Sequence, residues 1–247
     1  MKKEWVEKFY SDGLLPEPYK EWQLDMLNSD APVELFQYRS DEEINVTNLE
    51  KEVIWTSAVR NVNDPFDCDF NMSVLNELEG KIPHDAIEQV RESTVNLRET
   101  LAISCFSERN DSILMWSHYA NKHKGFCLCY AVRDILSAKK KLFPVWYREE
   151  KVLPICKEKT IQQNPRIREI LIQKSPDWSY EKEWRIFELL DNTTDKGKTI
   201  KIKPLKIIIG ACADEALKDT LRRIGKSKGI EVTQMHLKNE EFKLIEN

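Results

Sequence analysis

One continuous apolar segment, Phe126–Val132, constrains the fold of this chain more than any other feature. Seven apolar residues in a row are typical of a strand that is covered on both faces of a sheet. Such a strand needs hydrogen-bonding neighbours, so other parts of the chain must supply them. Strand-length segments bounded by polar turns are present at Glu34–Arg39, Val53–Ser57, Leu101–Ser107, Phe143–Tyr147, Glu183–Leu189 and Phe242–Ile245.

Helical patterns alternate with these strands. Pro83–Glu99 has apolar residues at helical spacing, and a second, short helix is predicted to begin after Ser112, a candidate N-cap. Ile207–Ile209, a helix capped by Asp214 and the strand Glu231–Met235 predict a βαβ-like unit near the end of the chain. We therefore expect an α+β fold with a mixed, largely antiparallel sheet core, flanking helices and a C-terminal βαβ-like unit.

Two amphipathic segments, Lys3–Tyr10 and Pro18–Leu27, precede this core. They predict an N-terminal helical extension over residues 1–30, followed by a single α+β domain over residues 31–247. Their apolar faces could pack on the main domain or on a second subunit, so oligomerisation through the N-terminal helices is one of two alternatives.

Composition excludes several classes of protein. The formal net charge of -4 argues against broad electrostatic capture of nucleic acid. The longest apolar run, Leu205–Ala213, is interrupted by Lys206 and Gly210 and is too short to cross a bilayer, and the N-terminus lacks the apolar core of a signal peptide. The short apolar run also means that we expect no contact with a membrane. The six cysteines include no Cys-x-x-Cys pair, so we expect reduced thiols and no metal site. Together these features predict a cytoplasmic protein.

Two of the four candidate functional segments lie early in the chain. Arg39, which follows Tyr38 at the end of a predicted strand, could donate two hydrogen bonds to a phosphate or carboxylate. The alternative is a structural ion pair with Glu181 or Glu183. In the loop Asn63–Asp67, the polar side chains either cap their own backbone or contribute to a metal or ribose site.

The other two segments lie later. Ser107 ends a predicted strand, and the helix after it has the sequence Trp116-Ser117-His118-Tyr119. In Tyr180–Arg185, an extended backbone would place Glu181, Glu183 and Arg185 on one side. The alternatives are a Glu–Arg pair at a solvated sheet edge and a carboxylate held in a cleft by Arg185, with Trp178 or Tyr180 as a flat wall.

The order of these blocks resembles that of the bacterial and archaeal family called domain of unknown function 2971. The similarity runs from about Leu35 to Ile245, and the family's name implies no activity. The blocks that carry it are Tyr38-Arg39, Asn63–Asp67, Ser104–Glu108, Met115–Ala120 with His123-x-Gly125, Tyr180–Arg185 and the later strand Ile207–Gly210.

The order Arg39, Ser107 and Glu181-x-Glu183 also resembles that of ADP-ribosyltransferases, although the Ser-Thr-Ser motif of that class is absent. In that class the arginine grips the dinucleotide and the serine braces the glutamate. The glutamate hydrogen-bonds a ribose hydroxyl while nicotinamide leaves and positive charge develops. The resemblance implies NAD-dependent ADP-ribosyl transfer or NAD hydrolysis, by a toxin or an anti-phage defence effector. NAD would be a cosubstrate, and no tightly bound cofactor is expected.

On this interpretation the catalytic candidates are Glu183, lying deep, Glu181, nearer the rim, and His118. The ligand-binding candidates are Arg39, Tyr38, Asn63, Asp64, Ser107, Trp116, Tyr119, Tyr180 and Arg185. We expect Arg39, Asn63, His118 and Glu183 to line one pocket. The partners would be a small nucleotide ligand and a protein or nucleic-acid acceptor.

Two other functions are compatible with the same residues. A metal-dependent nuclease could bind magnesium through Asp64, Asp67, Glu181 and Glu183. A non-catalytic nucleotide-sensing or binding module would use the same cleft without turnover.

Overall fold

A mixed, mostly antiparallel sheet forms the core of the structure, which is a computed structural model describing residues 31–69, 76, 79–81, 83–138, 141–151 and 170–247. The predicted N-terminal helical extension lies outside these residues. The sheet strands are β1 (Glu34–Arg39), β2 (Val53–Ala58), β3 (Leu101–Ser107), β4 (Phe126–Ala131), β5 (Leu142–Pro144), β8 (Glu183–Leu189), β9 (Gly197–Lys201), β10 (Lys206–Ile209), β11 (Glu231–Leu237) and β12 (Leu244–Glu246). The short strands β6 (Trp146–Tyr147) and β7 (Gln173–Lys174) pair separately.

Helices flank this sheet. The α-helices that lie wholly within the described residues are α1 (Glu43–Glu50), α2 (His84–Thr100), α3 (Ile113–Tyr119), α4 (Val132–Ser137) and α5 (Glu215–Lys228), and 3-10 helices span Val59–Asn61 and Pro176–Glu181 there. The predicted fold class is confirmed. The predicted βαβ unit is also present, because β10 and β11 pair in parallel and α5 connects them.

The apolar strand β4 lies inside the sheet, as its sequence predicts. All six of its residues are buried, and it pairs antiparallel with β1 on one edge and with β10 on the other. Its side chains contribute to clusters on both sheet faces, where Phe126 packs in one cluster and Cys127 in the other. The core therefore has two layers, one on each side of the sheet.

The sheet splits at β3. One edge of β3 pairs with β8 along its whole length. On the other edge, β2 pairs near Ile103 and β1 pairs at Ser107. The strands β1 and β2 therefore diverge from a common neighbour, and the Gln37 side chain spans the gap by donating a 2.6 Å hydrogen bond from Nε2 to Ser104 Oγ. This divergence opens the sheet and makes room for a site.

The extended backbone predicted for Tyr180–Arg185 is wrong at the start of that segment. Tyr180 and Glu181 belong to the 3-10 helix Pro176–Glu181, so Glu181 does not share a strand face with Glu183. The helix forms because Ser175 accepts a hydrogen bond from a backbone N–H and a proline occupies its first turn. Lys182 then adopts a left-handed conformation, with φ of 45°, and the chain turns into β8.

Candidate functional site

A cavity of about 470 Å³ lies where β1 and β2 diverge, within the range of roughly 300 to 1,000 Å³ that is usual for small-molecule sites. Arg39, Asn63, His118 and Glu183 all line it, so the structure brings the four candidate segments together as expected. Among its other lining residues are Tyr38, Trp55, Asp67, Cys105, Ser107, Tyr119, Lys174 and Glu181.

A cluster of five buried charged side chains lies at one wall of this cavity, and its members are Asp67, Lys174, Glu181, Glu183 and Arg185. At its centre, Arg185 is fully buried on β8 and binds two carboxylates. It donates to Glu183 from Nε at 2.8 Å and from Nη2 at 3.0 Å, and to Asp67 from Nη2 at 2.8 Å. A further 2.8 Å bond runs to the carbonyl of Leu171. Arg185 therefore lies behind the cavity wall and holds Glu183 and Asp67 in place.

Lys174 connects the two glutamates that the sequence singles out. Its Nζ lies 2.5 Å from Glu181 Oε2 and 2.9 Å from Glu183 Oε2. Asp67 is further away, at 3.6 Å. Lys174 was not among the predicted site residues, because the short polar strand Gln173–Lys174 has no pattern that marks it. The nuclease hypothesis, by contrast, already named Asp67.

The environments of the two glutamates push their pKa values apart. Burial alone would raise the pKa of Glu183, but the charges of Arg185 and Lys174 outweigh it and lower the pKa to about 2. For Glu181, burial raises the pKa and the charge of Glu183 adds to this, while Lys174 opposes it. Glu183 is therefore a fixed negative charge at neutral pH, and Glu181 takes up a proton first as the pH falls.

The two carboxylates also differ in how many hydrogen bonds they already accept. Both oxygens of Glu183 are bound by Arg185, Oε2 also accepts from Lys174, and the Cys105 thiol is a further partner. Each oxygen of Glu181 accepts one bond from a described residue, Oε1 from Tyr119 at 2.6 Å and Oε2 from Lys174. Because a carboxylate oxygen has two lone pairs, Glu181 retains capacity for a ligand.

The expected difference in depth between the glutamates is wrong. Glu181 is 2% exposed and Glu183 is 4% exposed, so neither lies at the rim. The 3-10 helix causes this, because it turns Glu181 inward onto Lys174 and Tyr119.

Ser107 and Tyr119 position Glu181 from two sides. Ser107 Oγ donates a 2.6 Å hydrogen bond to the backbone carbonyl of Glu181. Tyr119 ends α3, whose first turn is capped by Ser112 as predicted, and its hydroxyl also hydrogen-bonds the side chain of Asn63. The serine therefore braces the backbone of Glu181, and the tyrosine orients its carboxylate.

Arg39 forms no salt bridge within the described part of the chain. The glutamates that were its expected ion-pair partners bind Lys174 and Arg185 instead. Arg39 is half-buried, and this partial desolvation lowers the pKa of its guanidinium. The backbone beside it is tightly packed, since a Cβ on Gly125 would lie 2.1 Å from the carbonyl oxygen of Arg39. Its side chain lines the cavity, so Arg39 is a cation available to an anionic ligand.

Other predicted site residues have different surroundings. Trp116 is fully buried and donates from Nε1 to the carbonyl of Asn110 at 2.6 Å, and it does not line the cavity. Asp64 caps its own loop by accepting from the backbone N–H of Phe66. Tyr180 is half-buried, with its ring centroid 6.5 Å from that of His118, which is exposed.

Tyr38 donates from its hydroxyl to a backbone carbonyl at 2.7 Å and packs edge-on against Trp116. Of the predicted ligand-binding residues, those lining the cavity are Arg39, Tyr38, Asn63, Ser107 and Tyr119.

Within the described residues, no group of three or more His, Cys, Asp or Glu side chains has an arrangement that could hold a metal ion. Cys127 and Cys129 are buried in β4, in agreement with the interpretation that they are core residues. The five described cysteines are free thiols. As for membranes, none of the described helices has both the length and the apolar character needed to cross one.

A family model described as a protein of unknown function (DUF2971) matches residues 115–186, in agreement with the resemblance seen in the sequence. This segment contains most of α3, from Met115 onward, together with Lys174, Glu181, Glu183 and Arg185. No curated protein and no solved structure matches the chain.

Proposed function

We propose that the cavity binds NAD and that the chain transfers its ADP-ribose group to an acceptor or to water. The observation that carries this proposal is the pair of glutamates in the cavity wall. One of them is fixed as an anion by two cations, and the other has free acceptor capacity. Cleavage of the bond between ribose and nicotinamide develops positive charge on the sugar, and a preorganised negative charge lowers the energy of that state.

Glu183 supplies the fixed negative charge in this mechanism. Its carboxylate already accepts hydrogen bonds from Arg185 and Lys174, so its contribution is electrostatic rather than a new bond to the sugar. The nicotinamide leaves with the electron pair of the glycosidic bond. Because Glu183 stays ionised at neutral pH, it can stabilise the developing cation without a change of protonation.

Glu181 is the better placed of the two to contact the substrate. It can accept a hydrogen bond from a ribose hydroxyl, or take the proton of the acceptor hydroxyl, amine or water as the new bond forms. Tyr119 and Lys174 hold its carboxylate in a single orientation for this step.

Arg39 and the aromatic lining account for binding. The Arg39 guanidinium, which has no carboxylate partner among the described residues, can bind the negative pyrophosphate with two hydrogen bonds. Tyr38, Trp55 and Tyr119 offer flat surfaces to the rings of the dinucleotide. Consumption of NAD would suit a toxin or defence effector, and the acceptor would be a protein or a nucleic acid.

A non-catalytic nucleotide-binding module is the second candidate, and one observation favours it. Glu183 and Arg185 form a complete structural ion pair, which a binding protein could keep only for stability. A magnesium-dependent nuclease has less support, because Asp67, Glu181 and Glu183 already share Lys174 and Arg185.

Titration calorimetry with NAD, ADP-ribose and magnesium, combined with an assay for released nicotinamide, separates these functions. Binding of NAD with release of nicotinamide supports the transferase or hydrolase. Binding without release supports the binding module. Magnesium binding with cleavage of nucleic acid would replace the proposal with the nuclease.

A further inference from the structure

We infer that Lys174 is a positioning residue that holds the Glu181 and Glu183 carboxylates together and thereby decides at which pH the pair takes up a proton. The consequence for turnover rests on the proposed function. The physical inference does not, because it concerns only charged side chains within the structure.

The geometry of the bridge is the first argument. One ammonium group contacts both carboxylates, at 2.5 and 2.9 Å, and all three side chains are buried. Two carboxylates this close, and away from water, disfavour each other's ionisation unless a cation lies between them. Lys174 occupies that position.

No other described cation can replace Lys174. Arg185 binds Glu183 and Asp67, and the described partners of the Glu181 carboxylate are Lys174 and the neutral hydroxyl of Tyr119. Lys182 separates the glutamates in sequence, but its side chain is exposed and it has no salt bridge to a described residue. The charge balance at Glu181 therefore depends on Lys174.

The groups that influence the Lys174 amine come from several elements. They are the charged side chains of Asp67, Glu181, Glu183 and Arg185, the phenols of Tyr119, Tyr147 and Tyr180, the thiols of Cys68 and Cys105, and the ring of Trp178, whose centroid lies 5.1 Å from Nζ. Arg185 is the only other cation in this set. Without Lys174, three carboxylates would face one guanidinium.

The charge state of Lys174 agrees with this role. Burial alone would lower its pKa, but the negative charges of Glu183, Asp67 and Glu181 outweigh burial and raise the pKa above its usual value. Lys174 therefore stays protonated wherever the protein is folded.

Infrared spectroscopy of the carboxyl groups tests the inference without any ligand. Protonated carboxylic acids absorb separately from carboxylates, so the pH at which the pair takes up a proton can be followed directly. We expect Lys174→Met to raise that pH by about 1 to 3 units relative to the wild type, the size of effect that a neighbouring opposite charge has on a carboxyl pKa. Lys174→Arg should restore most of the wild-type behaviour.

Two controls make the outcome specific. Lys182→Met removes an equal charge from an exposed side chain between the same two glutamates, and it should leave the titration unchanged. Adding Glu181→Gln to Lys174→Met should abolish the shifted band. Equal titration in Lys174→Met and the wild type, or an equal shift in Lys182→Met, would overturn the inference.

The test remains decisive if Lys174→Met is unfolded at pH 8. A proton on the glutamate pair would then replace the missing cation, so acidification towards pH 5 should restore the folded state seen by circular dichroism. Absence of recovery at any pH would contradict the inference. If the protein turns over NAD, the acid limb of its pH–rate profile should move upward in Lys174→Met by the same amount. Lack of turnover would count against the proposed function alone.

Discussion

Arg185 binds Glu183 through two hydrogen bonds, from Nε to Oε1 at 2.8 Å and from Nη2 to Oε2 at 3.0 Å, and the guanidinium is fully buried. The catalytic candidate Glu183 is therefore also a structural residue, because Glu183→Gln would leave Arg185 with one fewer anion in a dry environment.

We therefore predict that Glu183→Gln lowers the free energy of unfolding by about 3 to 5 kcal/mol, as is usual when one partner of a buried ion pair is removed. Chemical denaturation measures this. Glu88→Gln is a matched control, since Glu88 forms a partly exposed pair with Arg91 at 3.2 Å, and it should change stability by less than about 1 kcal/mol. Equal stability of Glu183→Gln and the wild type would show that the buried pair contributes nothing.

The Arg185–Glu183 pair also predicts that the free energy of unfolding falls in acid. The pKa of Glu183 falls from its ordinary 4.5 to about 2 in the folded state, so its contribution is complete above pH 4.5 and lost as the pH falls towards 2. The loss amounts to about 3 kcal/mol. Unfolding free energies at pH 6, 4 and 2.5 should show the difference between wild type and Glu183→Gln shrinking with acidification. A constant difference would mean that the folded pKa of Glu183 is not lowered.

Tyr119→Phe tests how Glu181 is held. The variant removes the 2.6 Å hydrogen bond to Glu181 Oε1, and a bond to a charged acceptor contributes about 1.5 to 3 kcal/mol. Because that bond favours the ionised carboxylate, the pKa of Glu181 should rise further in the variant. Carboxyl titration by infrared spectroscopy and unfolding by denaturant measure the two effects. An unchanged titration would remove Tyr119 from the role of orienting Glu181.

Trp116→Phe tests whether Trp116 contributes to the stability of the core or to ligand binding at the site. Trp116 is fully buried and binds the carbonyl of Asn110, so its loss should lower the free energy of unfolding by about 1 to 3 kcal/mol. The residue does not line the cavity, so the affinity for any cavity ligand should be unchanged. A variant of normal stability with weakened ligand binding would return Trp116 to the ligand-binding residues.

The parts of the fold that sequence predicts well are those with strong apolar patterns. The strands β1, β3, β4 and β8, and the helix α5 with its cap at Asp214, match the predicted segments closely, because burial or capping fixes each of them locally. By contrast, α1 was missed. Glu43–Glu50 has only weak segregation of apolar residues, and its position depends on packing against β2.

The sequence predicted which residues meet at the site, but not which of their side chains contact each other. Arg39, Asn63, His118 and Glu183 line one cavity, as the block order suggests. Lys174 could not be found, because its role depends on a two-residue strand and on the 3-10 helix that turns Glu181 back onto it. The 3-10 helix that carries Glu181 did have a signal, since Ser175-Pro176 is a typical N-cap followed by proline.

The release of nicotinamide from NAD is the measurement that tests the central claim most directly. We predict that the wild type binds NAD and releases nicotinamide, and that Arg39→Met binds NAD at least tenfold more weakly, a loss of about 1.4 kcal/mol. Glu181→Gln should release nicotinamide about a hundredfold more slowly. Arg223→Gln, which changes an exposed cation on α5, should behave as the wild type does. NAD that neither binds to the wild type nor yields nicotinamide, with or without candidate acceptors, would contradict the account.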